Sequence, residues 1–153
     1  MSISLLAEHP EFIATLAPWV AAQWKPILPQ LTAESCATKF QTHLNANALP
    51  IAWVAHQGAH VMGTVSLRIH DLPGREDLTP WLGGVYVAPE FRNHGLGTTL
   101  CSVAEQEAKA RFGIAILHLF TLDRQGWYGK RGWRMVEPCT WCGRAGDIMV
   151  MEL

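Results

Sequence analysis

The residues best suited to chemistry are Arg92-Asn93-His94-Gly95-Leu96-Gly97-Thr98, which follow the apolar run Val85-Tyr86-Val87 and open a helical pattern. Pro89 ends the strand reading, and Gly95 and Gly97 fall where backbone must take positive φ or approach a neighbour closely. Thr98 through Arg111 reads as a helix, with Leu96, Leu100, Val103 and Ala104 at helical spacing and Glu105, Glu107 and Lys109 on the other side. The first-turn amides of such a helix lack intrahelical partners and sit at the positive end of its dipole. Strand, turn of exposed amides and helix start together form a cradle for an anion, phosphate above all. Arg92 adds a permanent charge and a fork of donors that matches phosphate oxygens.

Other glycine loops and metal sites fit the chain less well. A Walker loop ends in Gly-Lys-Ser/Thr, whereas Gly97 is followed by Thr98 with no lysine. A dinucleotide fingerprint needs three glycines at the first turn of a βαβ unit, and this chain offers Gly95 and Gly97 at mid-chain. Cys139-Thr140-Trp141-Cys142 has redox or zinc spacing, but zinc needs a second ligand pair and a redox pair usually stands at a helix start. These cysteines are read as small, partly buried residues near a late strand or loop. His56 and His60 straddle Gly58 and are read as exposed turn residues, so no metal is expected.

The elements that must position the cradle follow from periodicity and turn chemistry. Ile3 to Leu6 reads as a short strand, and Pro10 to Trp24 as a helix with Phe12, Ile13, Leu16, Trp19 and Val20 on one side, stopped by Pro26 and Pro29. Thr32 caps a second helix to about Asn45. Ile51 to Ala55 and Val61 to Ile69 form a hairpin across Gln57-Gly58, and the loop His70 to Thr79 leads to a strand at 81–87. Gly83-Gly84 interrupts that strand and marks a bulge or a close neighbour. Later strands are expected at Leu117 to Thr121, near Trp133 to Val136, and from Asp147 to Leu153.

Composition agrees with one compact domain over residues 1–153. The chain is 49% hydrophobic and 16% charged with net charge −1, which is globular and argues against nucleic acid or an anionic membrane as the main partner. No apolar run approaches the ~20 residues of a membrane span, and the N-terminus lacks a basic region followed by an apolar stretch. A cytoplasmic protein is expected.

The pattern Arg92-x-x-Gly95-x-Gly97 after Val85-x-Val87-x-Pro89 resembles motif A of the GNAT family, the acetyl-CoA-dependent N-acetyltransferases. The run from Leu117 to Trp133, a strand followed by Trp127-Tyr128-Gly129-Lys130-Arg131-Gly132-Trp133, resembles the family's motif B, in the right order and at the right distance. Gly132 suits a left-handed helix cap, with the next strand starting at Trp133. The resemblance implies an α/β (α+β) single-domain fold: a mixed central sheet of six to seven strands, about four flanking helices, and splayed fourth and fifth strands. Acetyl-CoA is the implied co-substrate, without metal. Its pyrophosphate is assigned to Arg92, Asn93, His94, Gly95, Leu96, Gly97 and Thr98, and its pantetheine arm to the backbone of Val85, Tyr86 and Val87. Where many relatives have an asparagine seven residues before the tyrosine, this chain has Thr121, which can make one hydrogen bond but cannot span donor and acceptor as an amide does. The Thr121-x-Asp123 run resembles a subgroup that includes the actin N-terminal acetyltransferase.

The reaction implied is direct attack of a neutral amine on the acetyl thioester, with Tyr128 protonating the departing sulfur and contacting the co-substrate. A phenol of pKa near ~10 holds its proton at neutral pH and can donate as thiolate develops. An α-amine of pKa about 8 is neutral roughly a tenth of the time at pH 7, a lysine less than about one part in a thousand. Many relatives carry a glutamate on the fourth strand, and none stands between Trp81 and Val87, which favours a low-pKa amine or a base acting through water. Glu76 and Asp77 in the loop are the candidate bases, with His70 and His118 behind them; His118 alternates with Leu117 and Leu119 and points away from Thr121. Trp24, Trp53 and Trp81 are candidate walls of an acceptor pocket. The reading is thus an N-acetyltransferase acting on a primary amine, of a small molecule or a peptide N-terminus. The alternative is a non-catalytic acyl-CoA-binding or regulatory module, and a homodimer is left open.

Overall fold

A computed structural model describes residues 1–153. Seven strands make one sheet in the order β1-β2-β3-β4-β5-β7-β6: β1 Ser2–Leu5, β2 Ile51–Gln57, β3 His60–Arg68, β4 Trp81–Val87, β5 Ile116–Thr121, β6 Arg134–Trp141 and β7 Arg144–Glu152. Every neighbouring pair is antiparallel except β4 with β5. Helices α1 (Ile13–Trp24) and α2 (Ala33–Gln41) cover one face, and α3 (Leu96–Phe112) covers the other, with the short α4 (Gln125–Lys130) beside it.

Strand alternation sorts the core between the two faces. Trp53, Val65, Leu67, Leu82, Leu117 and Leu119 pack with Leu100, Cys101 and Ala104 of α3. Ala52, Val54 and Val61 pack with Ile13, Leu16 and Ala17 of α1 and Phe40 of α2. Each fully buried Leu, Ile or Phe contributes on the order of 2 kcal/mol. Trp53 is spent in this core and Trp81 in a smaller cluster with Leu72 and Ile148, so neither lines a pocket as the sequence suggested. His56 is a second correction: it is buried, bonded to Ser4 Oγ at 2.9 Å and to the Gly58 carbonyl at 2.8 Å, and packed on Phe12.

Thr32 does cap α2, through a reciprocal pair of bonds with Ser35 at 3.0 and 3.1 Å. The helix ends at Gln41 rather than near Asn45 because side chains compete for its last carbonyls. Thr42 Oγ1 and His43 Nδ1 both donate to the Lys39 carbonyl, at 2.6 and 2.8 Å. β6 runs on to Trp141, five residues past the expected Val136; it lies at the sheet edge, where Pro138 is tolerated. A tight turn at Cys142-Gly143, both at positive φ, joins it to β7. All four cysteines are free thiols.

Two irregularities define the centre of the sheet. Between Thr64 and Ser66 of β3 the register to β4 slips, Thr64 facing Tyr86 and Ser66 facing Gly83, so β4 carries an extra residue there. Gly84 sits in the left-handed region at φ +60, the conformation the bulge demands. Ahead of it, β4 and β5 pair only at Trp81 and His118, supported by a 3.0 Å bond from the His118 amide to the Pro80 carbonyl, and past that point they diverge. No helix is long and apolar enough to cross a membrane.

Candidate active site

The β4–β5 gap opens at its upper end on the start of α3. That helix begins at Leu96, two residues before the expected Thr98, because Gly95 and not Gly97 is the left-handed residue at its N-cap, at φ +82. Asn93 is also left-handed at φ +65. The first intrahelical bond runs from the Thr99 amide to the Gly95 carbonyl at 3.0 Å, so the amides of Leu96, Gly97 and Thr98 have no acceptor within the helix. Nothing lies within 4 Å of where a Gly95 side chain would start, so the turn is open above these amides. Gly97 faces the Trp127 ring and Val87, and a Cβ there would stand 3.6 to 3.8 Å from them, in ordinary contact. Leu96 anchors the turn by burying its side chain in the core.

Arg92 stands beside this turn rather than across it. Its Nε donates to the Val87 carbonyl at 2.8 Å and its guanidinium lies 5.6 Å from the Tyr86 ring centre. Tyr86 in turn stacks on Trp19 of α1 at 5.8 Å. These side chains, with Gln23 and Glu90, wall an open cleft of about 520 Å³ at the end of β4. Val85 and Val87 point the other way, toward the α3 core. His94, Asn93 and Thr98 are exposed at the mouth.

Tyr128 stands on α4, whose 6 residues are too few to hold a side chain in place alone. It is wedged between Trp127 at 4.9 Å and Trp133 at 6.2 Å, ring centre to ring centre. Burial pushes its phenol well above the ordinary pKa, the neighbouring Cys101 adding to this and Arg131 and Arg124 opposing it. The group keeps its proton at neutral pH. Burial likewise pushes the Cys101 thiol up to about 12, so it is no nucleophile.

The brace that positions α4 went unread in the sequence, which put Glu105 on the solvent side of α3. Glu105 accepts from Arg131 Nη2 through both oxygens at 3.0 and 3.1 Å and from Trp133 Nε1 at 3.2 Å. Arg131 and Glu105 are 11% and 14% exposed, so this is an inner ion pair, and the guanidinium also covers the Trp127 ring at 5.4 Å. The signal was spacing: Gly97, Cys101 and Glu105 recur every fourth residue and share the stripe that faces α4.

The remaining predicted residues have partners of their own. Thr121 is buried, and its Oγ1 accepts from the Arg124 amide at 3.0 Å, so it caps the turn into α4. Glu76 is exposed and accepts from the Gly74 amide at 3.1 Å. Asp77 is exposed and gripped by two donors of Arg75, each at 3.0 Å, and that guanidinium holds its carboxyl below the usual range. Arg75 also pairs with Glu137 of β6. His118 does face away from Thr121, its Nδ1 donating to the Pro80 carbonyl at 3.1 Å. Trp24 meets Trp141 edge to face at 5.3 Å. No three His, Cys, Asp or Glu side chains are grouped to hold a metal ion.

Comparison with known proteins places this arrangement. The sequence profile described as the acetyltransferase (GNAT) family matches residues 14–133. No curated protein sequence matches the chain significantly. Among solved structures, an aminoglycoside 6'-acetyltransferase type Ii superposes with TM-score 0.73 at 20% identity, covering 99% of this chain and 97% of that one. An aminoglycoside 6'-N-acetyltransferase complexed with coenzyme A gives 0.70 at 17% identity, covering 99% and 97%. An IAA acetyltransferase from Bacillus cereus ATCC 14579 gives 0.65 at 22% identity, covering 99% of both chains. At these identities the superpositions speak for the fold.

Proposed function

Because the chain belongs to the acetyltransferase (GNAT) family, we propose that it moves the acetyl group of acetyl-CoA to a primary amine, on a small molecule or a peptide N-terminus, by direct attack. One observation carries this reading: an open helix start follows the β4 edge of the β4–β5 gap, and a half-buried, protonated phenol stands on the short helix that follows β5. The free amides of Leu96, Gly97 and Thr98, with the Arg92 guanidinium at the rim, suit the pyrophosphate, and the exposed Asn93, His94 and Gly95 complete the turn around it. Backbone of Val85, Tyr86 and Val87 along the gap suits the amide-bearing arm, with Thr121 on the facing strand still free to donate its hydroxyl proton.

When bound, acetyl-CoA supplies the thioester. Tyr128 donates its proton to the departing sulfur, as a phenol that keeps its proton at neutral pH is able to do. An amine of low pKa needs little help to arrive neutral. For a more basic amine, Glu76 is the better proton acceptor of the two loop carboxylates, since Arg75 does not grip it as it grips Asp77. Thiol release from acetyl-CoA against a panel of primary amines tests the proposal. Turnover with at least one amine is expected. Acetyl-CoA that raises Tm while no amine supports turnover overturns catalysis and leaves a binding module.

A further inference from the structure

One polar cluster takes no part in the chemistry above, and it lies against the β4 bulge on the α1 and α2 side of the sheet. Ser66 and Arg68 close β3, Asp71 follows, and Lys39 and His43 stand at the end of α2. Arg68 donates through Nη1 to Asp71 Oδ1 at 2.8 Å and through Nε to His43 Nε2 at 3.0 Å. His43 donates its Nδ1 proton to the Lys39 carbonyl, which fixes it as the neutral tautomer that can accept from Arg68. The cluster therefore sets the cations of Lys39 and Arg68 against the single carboxylate of Asp71. Arg68 holds the Lys39 pKa below its usual value, as a surplus of positive charge requires.

The bulge aims this cluster at β4. Its extra residue turns Gly83 and Gly84 to the same side: a Cβ on Gly83 would stand 2.7 Å from Asp71 Oδ2, and one on Gly84 2.7 Å from Arg68 Nη2 and 3.1 Å from Ser66 Oγ. The hydrogen bonds of the pair use Nη1 and Oδ1, leaving Nη2 and Oδ2 unmatched. Ser66 is fully buried and its Oγ has no partner at all. A brace between β3 and its loop has no use for an unpartnered buried hydroxyl, which costs about 1–3 kcal/mol. Donors in surplus beside one free carboxylate oxygen suit a ligand that brings an ammonium and an anion on neighbouring atoms.

We propose that Lys39, Ser66, Arg68 and Asp71 form the acceptor subsite, and that the acceptor is an amine with a carboxylate on the adjoining carbon, a free α-amino acid rather than a peptide N-terminus. Asp71 Oδ2 receives the amine, and Arg68 Nη2 with Lys39 receives the carboxylate, Ser66 adding a donor behind them. This rests on acetyl transfer taking place at the β4 bulge.

The test compares α-amino acids with their amides and their decarboxylated amines. In the wild type, kcat/KM is expected to be highest for the acid in at least one such set. Lys39→Gln, an exposed helix position that folds readily, is expected to lower the acid-to-amine ratio about fivefold, and Arg68→Gln about a hundredfold. A second readout needs no turnover: the rise in Tm given by the amino acid in the presence of coenzyme A, expected in the wild type and diminished in both variants. Amino-acid-dependent Tm shifts without turnover keep the subsite and remove the acetyl transfer. A wild type indifferent to the carboxylate in rate and Tm, or a Lys39→Gln ratio equal to that of the wild type, overturns the subsite.

Discussion

Glu105→Gln asks whether Tyr128 is held in place from α3. The exchange keeps the shape of the side chain and removes its charge, leaving Arg131 as an inner cation whose Nε already lacks a partner. Breaking a buried pair from one side costs ~3–5 kcal/mol, and the amide oxygen still accepts one bond, so about 3 kcal/mol is expected. For a chain of 153 residues each kcal/mol moves Tm by about 2–4 °C, giving a fall of roughly 6–12 °C. Activity is expected to follow geometry. Loss of the bond to Trp133 Nε1 frees one wall of the Tyr128 wedge, and a misplacement of about 1 Å at a reacting group can cost ~10²-fold. A drop in kcat of at least tenfold, roughly, with KM for acetyl-CoA little changed, is the signature, because the cradle lies on another part of α3. Scanning fluorimetry and steady-state thiol release measure the two quantities. The double variant Glu105→Leu with Arg131→Met separates stability from positioning: apolar replacement of a buried pair is often neutral, so Tm returns while kcat stays low. Should Glu105→Gln lower Tm by less than about 2 °C and leave kcat intact, the brace is not what positions α4.

Three further outcomes are expected. Tyr128→Phe should lower kcat by about 10²-fold or more with little effect on acetyl-CoA affinity, and full activity would remove it as the acid. Gly95→Asp forces a side chain into the left-handed region at a cost of about 1–2 kcal/mol and places a negative charge over the open amides, so acetyl-CoA binding measured by calorimetry should vanish. Burial and Arg68 push the His43 pKa down to about 4 from 6.5. The unfolded chain therefore takes up this proton near pH 6.5 and the folded chain only near pH 4, so stability is full above the window and is lost as pH falls through it, by about 3 kcal/mol. His43→Gln should flatten that part of the curve of unfolding free energy against pH, and an unchanged slope would refute the assignment.

What could be read from the chain is what local chemistry decides. β4 was placed at its true ends, Pro89 stopping it after the loop that ends at Thr79, and its bulge because paired glycines leave few other meanings inside a strand. The open turn ahead of α3 was legible for the same reason: glycines at fixed offsets ahead of a helix constrain backbone directly. The helix start was misjudged by two residues since either glycine could have been the left-handed one, and it is Gly95 that takes this conformation. His56, Trp53 and Trp81 were misread because burial depends on which face of the sheet each strand residue meets. The Arg68 cluster joins the end of α2, the end of β3 and the bulge of β4, and no spacing along the chain announces it. The proposed acceptor subsite assembles from distant segments in this way, whereas the proposed donor cradle is written in one continuous run.

The single pairing between β4 and β5 has a consequence for the molecule as a whole. One sheet is in effect two half-sheets, β1 to β4 and β5 to β7, stitched at Trp81 and His118 and sharing α3 as a common lid. Above the stitch, edge backbone on both sides can be satisfied by an extended ligand that carries its own amides. Such a ligand acts as a surrogate strand, and its binding energy becomes cohesion between the halves. If the proposed co-substrate binds there, its affinity and the cooperativity of the fold become one quantity measured in two ways, and the chain is most tightly knit while it is at work.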